Sequence, residues 1–254
     1  MDDPEVKYLQ YFFNQTVEVA DYFENWLYPN QKDADIKIST YCTLYDAFSE
    51  SYQKKIGKPG IIAHNCIGCN LEESARIITF FLQTNKNCRN IQYYLTLYSL
   101  LFYTHVERLA VIYKEIGYVT NKGEFNWNNF QNLQAIKYWA NFFKHPKAYM
   151  FLHHPSFFIV TDPNKPNFMI NGVIDDEFVK TFYKAGANND LLRQKLANKN
   201  HVKVFYPDLI KMTQMLCVEF SKIVEVIIND PDIITKLESY TTIESDLNPT
   251  DNNK

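Results

Sequence analysis

Asn141, Lys144 and His145 share one short string, Trp139-Ala140-Asn141-Phe142-Phe143-Lys144-His145-Pro146. Histidine is the side chain whose ordinary titration range lets it take up or release a proton near neutral pH. Lys144 puts a positive charge beside it, and Asn141 adds a hydrogen-bonding amide one helical turn back. Together they could move protons near neutral pH. The flanking chain fits the same chemistry. Residues 125–161 hold no acid over 37 positions, yet carry Lys137, Lys144, Lys147, His145, His153 and His154 with 11 aromatic residues. Cations interleaved with aromatics can hold phosphates and stack bases. The same rings also serve a helix core, and Leu133, Ile136, Ala140 and Phe143 have the spacing to point inward.

Three other groupings can be weighed against this one. Arg108, in His105-Val106-Glu107-Arg108, is expected on a long neighbouring helix and is a candidate cation for the His145 site. His153-His154-Pro155 reads either as a basic edge next to His145 or as an exposed turn. His64-Asn65-Cys66-Ile67-Gly68-Cys69, with Cys88 further on, has one Cys-x-x-Cys pair. Zinc motifs normally have two such pairs, so Cys66 and Cys69 read first as reduced thiols in a loop. Phosphate-cradling Gly loops, dinucleotide fingerprints, Gly-x-Ser-x-Gly elbows and His-Glu-x-x-His helices are absent.

The elements that position these residues read as helices. Apolar residues recur at three-to-four spacing over 4–28, 33–56, 70–84, 89–116, 128–144, 176–184, 190–198 and 208–228, with a short helix at 231–240. Gly57, Gly117 and Pro146 are the stops, and Asn70 with Glu73 reads as an N-cap pair. In the helix over 128–144, Lys137, Asn141, Lys144 and His145 fall within about a 100° arc. Pro146 disfavours helical geometry at His145, which places that residue at the helix C-terminus. Lys144 and His145 there also complement the helix dipole, whatever else they do. Residues 155–174 break the pattern and fit a small β-hairpin or an irregular insertion. The fold class is mainly α: a single helical-bundle domain over 1–246, with a disordered tail at 247–254.

Composition supports this. The 254 residues have 46% hydrophobic and 22% charged content, and only seven Gly and ten Pro, which disfavours a turn-rich β protein. Aromatics are abundant, with 3 Trp, 18 Tyr and 19 Phe. The net charge of −3 is unevenly spread: residues 1–60 and 225–254 are acidic, and 61–224 are net basic. Such a distribution permits polyanion binding without requiring it. The acidic start, Met1 to Glu5, lacks the parts of a signal peptide, and the uncharged run from Asn90 to Val106 reads as a buried helix rather than a membrane span. Five Cys without a disulfide layout fit a reducing cytoplasm.

The string ending in Asn141-Phe142-Phe143-Lys144-His145 resembles the closing motif of HEPN-type proteins. These are helical domains common in bacterial toxin and antiphage systems, and many are metal-independent ribonucleases that act as dimers. In the family an Arg, often followed by Asn, Asp or His, is separated from a His by four to six intervening residues. Asn141 and His145 match the polar residue and the His. The Arg positions fall on Ala140, Trp139 or Tyr138, and a second near-match, Arg193 to His201, has seven residues between. The resemblance implies an RNA-directed protein with Asn141, Lys144 and His145 at its catalytic site and Lys137, Arg108, Lys147, His153 and His154 as RNA contacts. It implies no metal or other cofactor and a homodimer. The alternative on the same fold is a non-catalytic helical module that binds a partner protein or a nucleotide.

Overall fold

Forty aromatic side chains need a large apolar interior, and helices with an apolar stripe provide it. In the computed structural model the described residues are 4–29, 38–60, 63–109, 129–145, 158–160, 173–184 and 203–243, together with Ile112 and Gly117. Among them the helices are α1 (Pro4–Leu27), α2 (Cys42–Ile56), α3 (Cys66–Thr84), α4 (Ile91–Arg108), α5 (Gln131–Lys144), α6 (Asp176–Lys184), α7 (Leu209–Ile228) and α8 (Pro231–Leu237). The strands are short: β1 (Ala63–Asn65), β2 (Phe158–Val160), β3 (Val173–Ile174), β4 (Lys203–Tyr206) and β5 (Thr241–Ile243). The fold is mainly α, as the periodicity indicates. No described helix is long and apolar enough to cross a membrane.

The nearly uncharged α4 is the central helix. It packs on α3 and α5. Its Phe102 ring meets Phe23 of α1 edge-on at 5.2 Å, and its Tyr98 hydroxyl lies 2.8 Å from Thr213 Oγ1 of α7. Helix α7 in turn packs along α1, burying Leu209, Met212, Leu216, Phe220, Ile223 and Ile227 at three-to-four spacing. Edge-on aromatic pairs each add about 0.5–1.5 kcal/mol beyond area burial, so the ring network sets helix positions as well as holding them.

Several boundaries differ from the sequence expectation. Helix α2 begins at Cys42, not at residue 33. Ser39–Tyr41 are spent on the end of α1: Thr40 donates from its backbone N to Leu27 O at 2.7 Å and from its hydroxyl to Trp26 O at 2.6 Å. Ile38, inside the range expected to be helical, is exposed. The N-cap of α3 is Asn65 rather than Asn70, its Oδ1 accepting from Ile67 N and Gly68 N. Asn70 is inside the helix. Helix α4 ends at Arg108, well short of 116, and Gly117 has the left-handed φ of +73° suited to a stop. Gly57 closes α2 as expected, at φ +66°.

The strands at 158–160 and 173–174 do not form a hairpin with each other. Both pair in parallel with β4, in the order β2-β4-β3, and two strands parallel to a common neighbour cannot be the antiparallel arms of one hairpin. β1 and β5 pair antiparallel, His64 opposite Thr242. The connector 119–126, the helix expected at 190–198 and the tail at 247–254 lie outside the described residues.

Candidate functional site on helix α5

Helix α5 is held at both ends by side chains from elsewhere in the chain. At its start, Phe130 has no side chain able to cap. Glu219 of α7 does this instead. Its carboxylate accepts from Asn132 N (3.1 Å), Asn132 Nδ2 (2.6 Å) and Leu133 N (2.8 Å), and a negative group at a helix N-terminus also meets the dipole favourably. Burial pushes this carboxyl above the usual carboxylate range, while the donors from Asn132 and Leu133, and Lys222, act against that rise. The inward face buries Leu133, Ile136, Trp139, Ala140, Phe142 and Phe143. Trp139 packs on Tyr206 at 4.7 Å, and its indole N–H donates to Asp176 Oδ1 of α6 at 2.5 Å.

The outward face carries the residues singled out by sequence. Lys137 and Asn141 are half-buried, and Lys144 and His145 are exposed. His145 has left the helix, with φ −85° and ψ 121°, its N–H donating to Phe142 O at 3.3 Å. The four side chains therefore lie along one face at the C-terminal end of α5.

Arg108 does not join them. Phe220 rests on His105 of α4, and its neighbour Glu219 holds the first turn of α5. The Tyr206 hydroxyl meets Ser99 of α4 while its ring meets Trp139 and Phe143 near the end of α5. The two helices are thus antiparallel, and Arg108 is at the end of the pair away from His145. From Leu133 to His145 the helix rises about 18 Å. Arg108 instead donates from Nη1 to the Asn70 carbonyl of α3 at 3.1 Å. Lys147, His153, His154, Arg193 and His201 lie outside the described residues.

Between α5 and α6 runs a groove of about 400 Å³, walled by Gln131, Gln134 and Tyr138 on one side and Asp176 and Lys180 on the other, with Trp139 at its base. Burial raises the Asp176 carboxyl above its usual range; the Trp139 hydrogen bond opposes that rise and Asp175 adds to it. Burial also raises the Tyr138 phenol. Sequence reasoning missed Asp176. An acid in a first helical turn looks like a dipole partner, and nothing local points to an indole 37 positions earlier.

It also missed a second histidine constellation. His105 is fully buried, with Tyr41 OH 2.5 Å from Nε2 and Ser74 Oγ 2.5 Å from Nδ1. The one Ser74 hydroxyl proton goes to Leu71 O at 2.9 Å, so Ser74 accepts from Nδ1–H and Tyr41 donates to Nε2. Burial, with Arg108 adding to it, lowers the His105 pKa to about 3. The imidazole is neutral and fastens α3 and α4 to the segment before α2.

The cysteine grouping loses its third member. Cys66 and Cys69 are exposed at the start of α3, while Cys88 follows the other end, after a helical rise of about 27 Å. Burial, Cys66 and the carboxylates of Glu72 and Glu73 push the Cys69 thiol up, against the pull of Arg76, so the reactive thiolate is disfavoured. Among the described residues no three His, Cys, Asp or Glu side chains come together in a way that would hold a metal ion. Comparison with known protein families, with curated proteins and with solved structures finds no match for this chain.

Proposed function

We propose that this protein binds RNA along the outward face of α5 and is a HEPN-like, metal-independent ribonuclease in which His145 moves the proton. The observation that carries this reading is the shared end of α5, where exposed Lys144 and His145 sit beside half-buried Lys137 and Asn141 within an acid-free segment. Cleavage by 2′-hydroxyl attack needs a base, an acid and a cation for the charge that builds on phosphorus. One copy of α5 supplies one His and two Lys, and Lys lacks the bidentate fork of the family's Arg. With Arg108 at the far end of α4, the second proton-transfer group comes from another copy of the chain in this reading. A cytoplasmic toxin or antiphage effector is the corresponding biological role.

The test is incubation of labelled RNA with the protein in EDTA, alongside His145→Ala and Asn141→Ala variants of unchanged melting temperature. Cleavage by the wild type that disappears in His145→Ala supports the ribonuclease. RNA retention without cleavage reduces the reading to binding. Absence of both favours the interaction module. One feature speaks for that module: Phe80 of α3 is 71% exposed, and Ile77 and Tyr93 are exposed on the same pair of helices.

A further inference from the structure

The groove between α5 and α6 has a chemistry different from the stripe beside it. A phosphate track would be lined by cations, yet Asp176 stands in the wall, with Asp175 and Glu177 on either side of it in the chain. Carboxylates repel phosphates. What a carboxylate selects is a neutral group that donates hydrogen bonds. Asp176 is held by the Trp139 indole at 2.5 Å, and Trp139 is itself packed against Tyr206, so the acceptor is fixed before any ligand arrives. Opposite it, Tyr138 presents a partly exposed ring, and Gln131 and Gln134 present amides that both donate and accept. The volume, about 400 Å³, lies in the range of small-molecule sites. Lys180 stands at the rim, 3.9 Å from Glu177 on its own helix.

We infer that this groove is a nucleobase pocket selective for guanine, resting on the reading that RNA runs along the α5 stripe. Tyr138 is three residues before Asn141, so a strand held by Lys137 and Lys144 has the groove mouth one turn away. The base stacks on Tyr138, as bases do on aromatic platforms. Its N1–H and N2–H donate to the Asp176 carboxylate, and a Gln amide donates to O6. Among the four RNA bases only guanine offers two adjacent donors on its Watson–Crick edge. Adenine and cytosine offer a single amino group there beside an acceptor that faces the carboxylate unfavourably, and uracil offers one N–H between two acceptors.

The experiment is calorimetric titration of the whole chain with GMP, AMP, CMP and UMP, with RNA retention measured separately on a mixed-sequence single strand. GMP is expected to bind about tenfold tighter than AMP, and Asp176→Asn is expected to remove about tenfold of GMP affinity. The side-chain amide in Asp176→Asn retains an oxygen for the Trp139 indole, so the melting temperature serves as the check on folding. If Asp176→Asn melts early, Gln134→Ala provides the second reading, expected to weaken GMP severalfold. Equal affinity for all four nucleotides, or no binding of any, overturns the pocket, and RNA retention by the same protein leaves the stripe standing. GMP binding that survives both substitutions also overturns it. Selective GMP binding lost in Asp176→Asn, with no RNA retained, supports the pocket and removes the RNA reading instead.

Discussion

His105 and His145 have the same side chain in opposite settings. His105 has a hydroxyl at each ring nitrogen, both at 2.5 Å, and no exposure to solvent. His145 stands exposed at the end of α5, off the helix, beside Lys144. By hydrogen-bond geometry alone His105 would pass for the catalytic residue, with a base, a hydroxyl and an orienting group in line. Burial reverses that reading. A ring kept neutral and sealed from solvent fastens helices together, whereas the ring at the end of α5 is open to solvent. Access, more than the number of hydrogen-bond partners, is what sets the two histidines apart.

His105→Ala leaves the hydroxyls of Tyr41 and Ser74 buried without the ring and opens a cavity, and is expected to cost about 4 kcal/mol in chemical denaturation. A loss under about 1 kcal/mol would refute the structural role. Glu219→Ala removes the cap on α5 and is expected to cost about 2 kcal/mol. It should also weaken RNA retention, because the stripe depends on α5 being held in place.

The folded-state pKa of His105, about 3, lies below the ordinary 6.5. Between those values the unfolded chain binds a proton that the folded chain does not. Stability contributed by neutral His105 is therefore complete above about pH 6.5 and declines as pH falls toward 3, by up to about 1.4 kcal/mol per pH unit. Denaturation midpoints measured from about pH 4 to about pH 7 should show this decline in the wild type and a shallower one in His105→Gln.

A smaller effect of opposite sign is expected at Tyr94. Its hydroxyl is buried without a partner among the described residues, so Tyr94→Phe is expected to stabilise by about 1 kcal/mol, read from the melting temperature. At the exposed end of α5 the effect on stability should be smallest. His145→Ala and Asn141→Ala should each shift stability by less than about 0.5 kcal/mol while lowering RNA affinity or cleavage. A large stability loss there would make His145 a second structural histidine and remove the contrast.

Local patterns made much of this legible. Helices α1, α6 and α7 match their periodicity within a residue or so, and Pro146 correctly set His145 outside the helix. What failed was long-range. The stretch before Cys42 looked helical because its apolar spacing is helical, but Thr40 satisfies carbonyls at the end of α1. The cap of α5 comes from Glu219, 87 positions later, and the acceptor for Trp139 from Asp176. Strand pairing at 158–160 and 173–174 depends on β4, which follows both by about thirty residues or more. The stripe on α5 was legible because one helix carries it; the groove was not, because two helices make it.

Asn65 performs two tasks that belong to different times in the life of the chain. Its Oδ1 caps α3, and its Nδ2 donates to Thr241 at 2.9 Å, across 176 positions, where β1 joins β5. At typical synthesis rates that separation takes about 10–35 s to translate. During that interval the capping side chain lacks the partner that orients it, and the start of α3 is free to fray. The β1–β5 clasp therefore makes the completed fold wait for one of the last described segments to be translated, so in a nascent or prematurely stopped chain the first turn of α3 would be left without the strand pairing that steadies its cap.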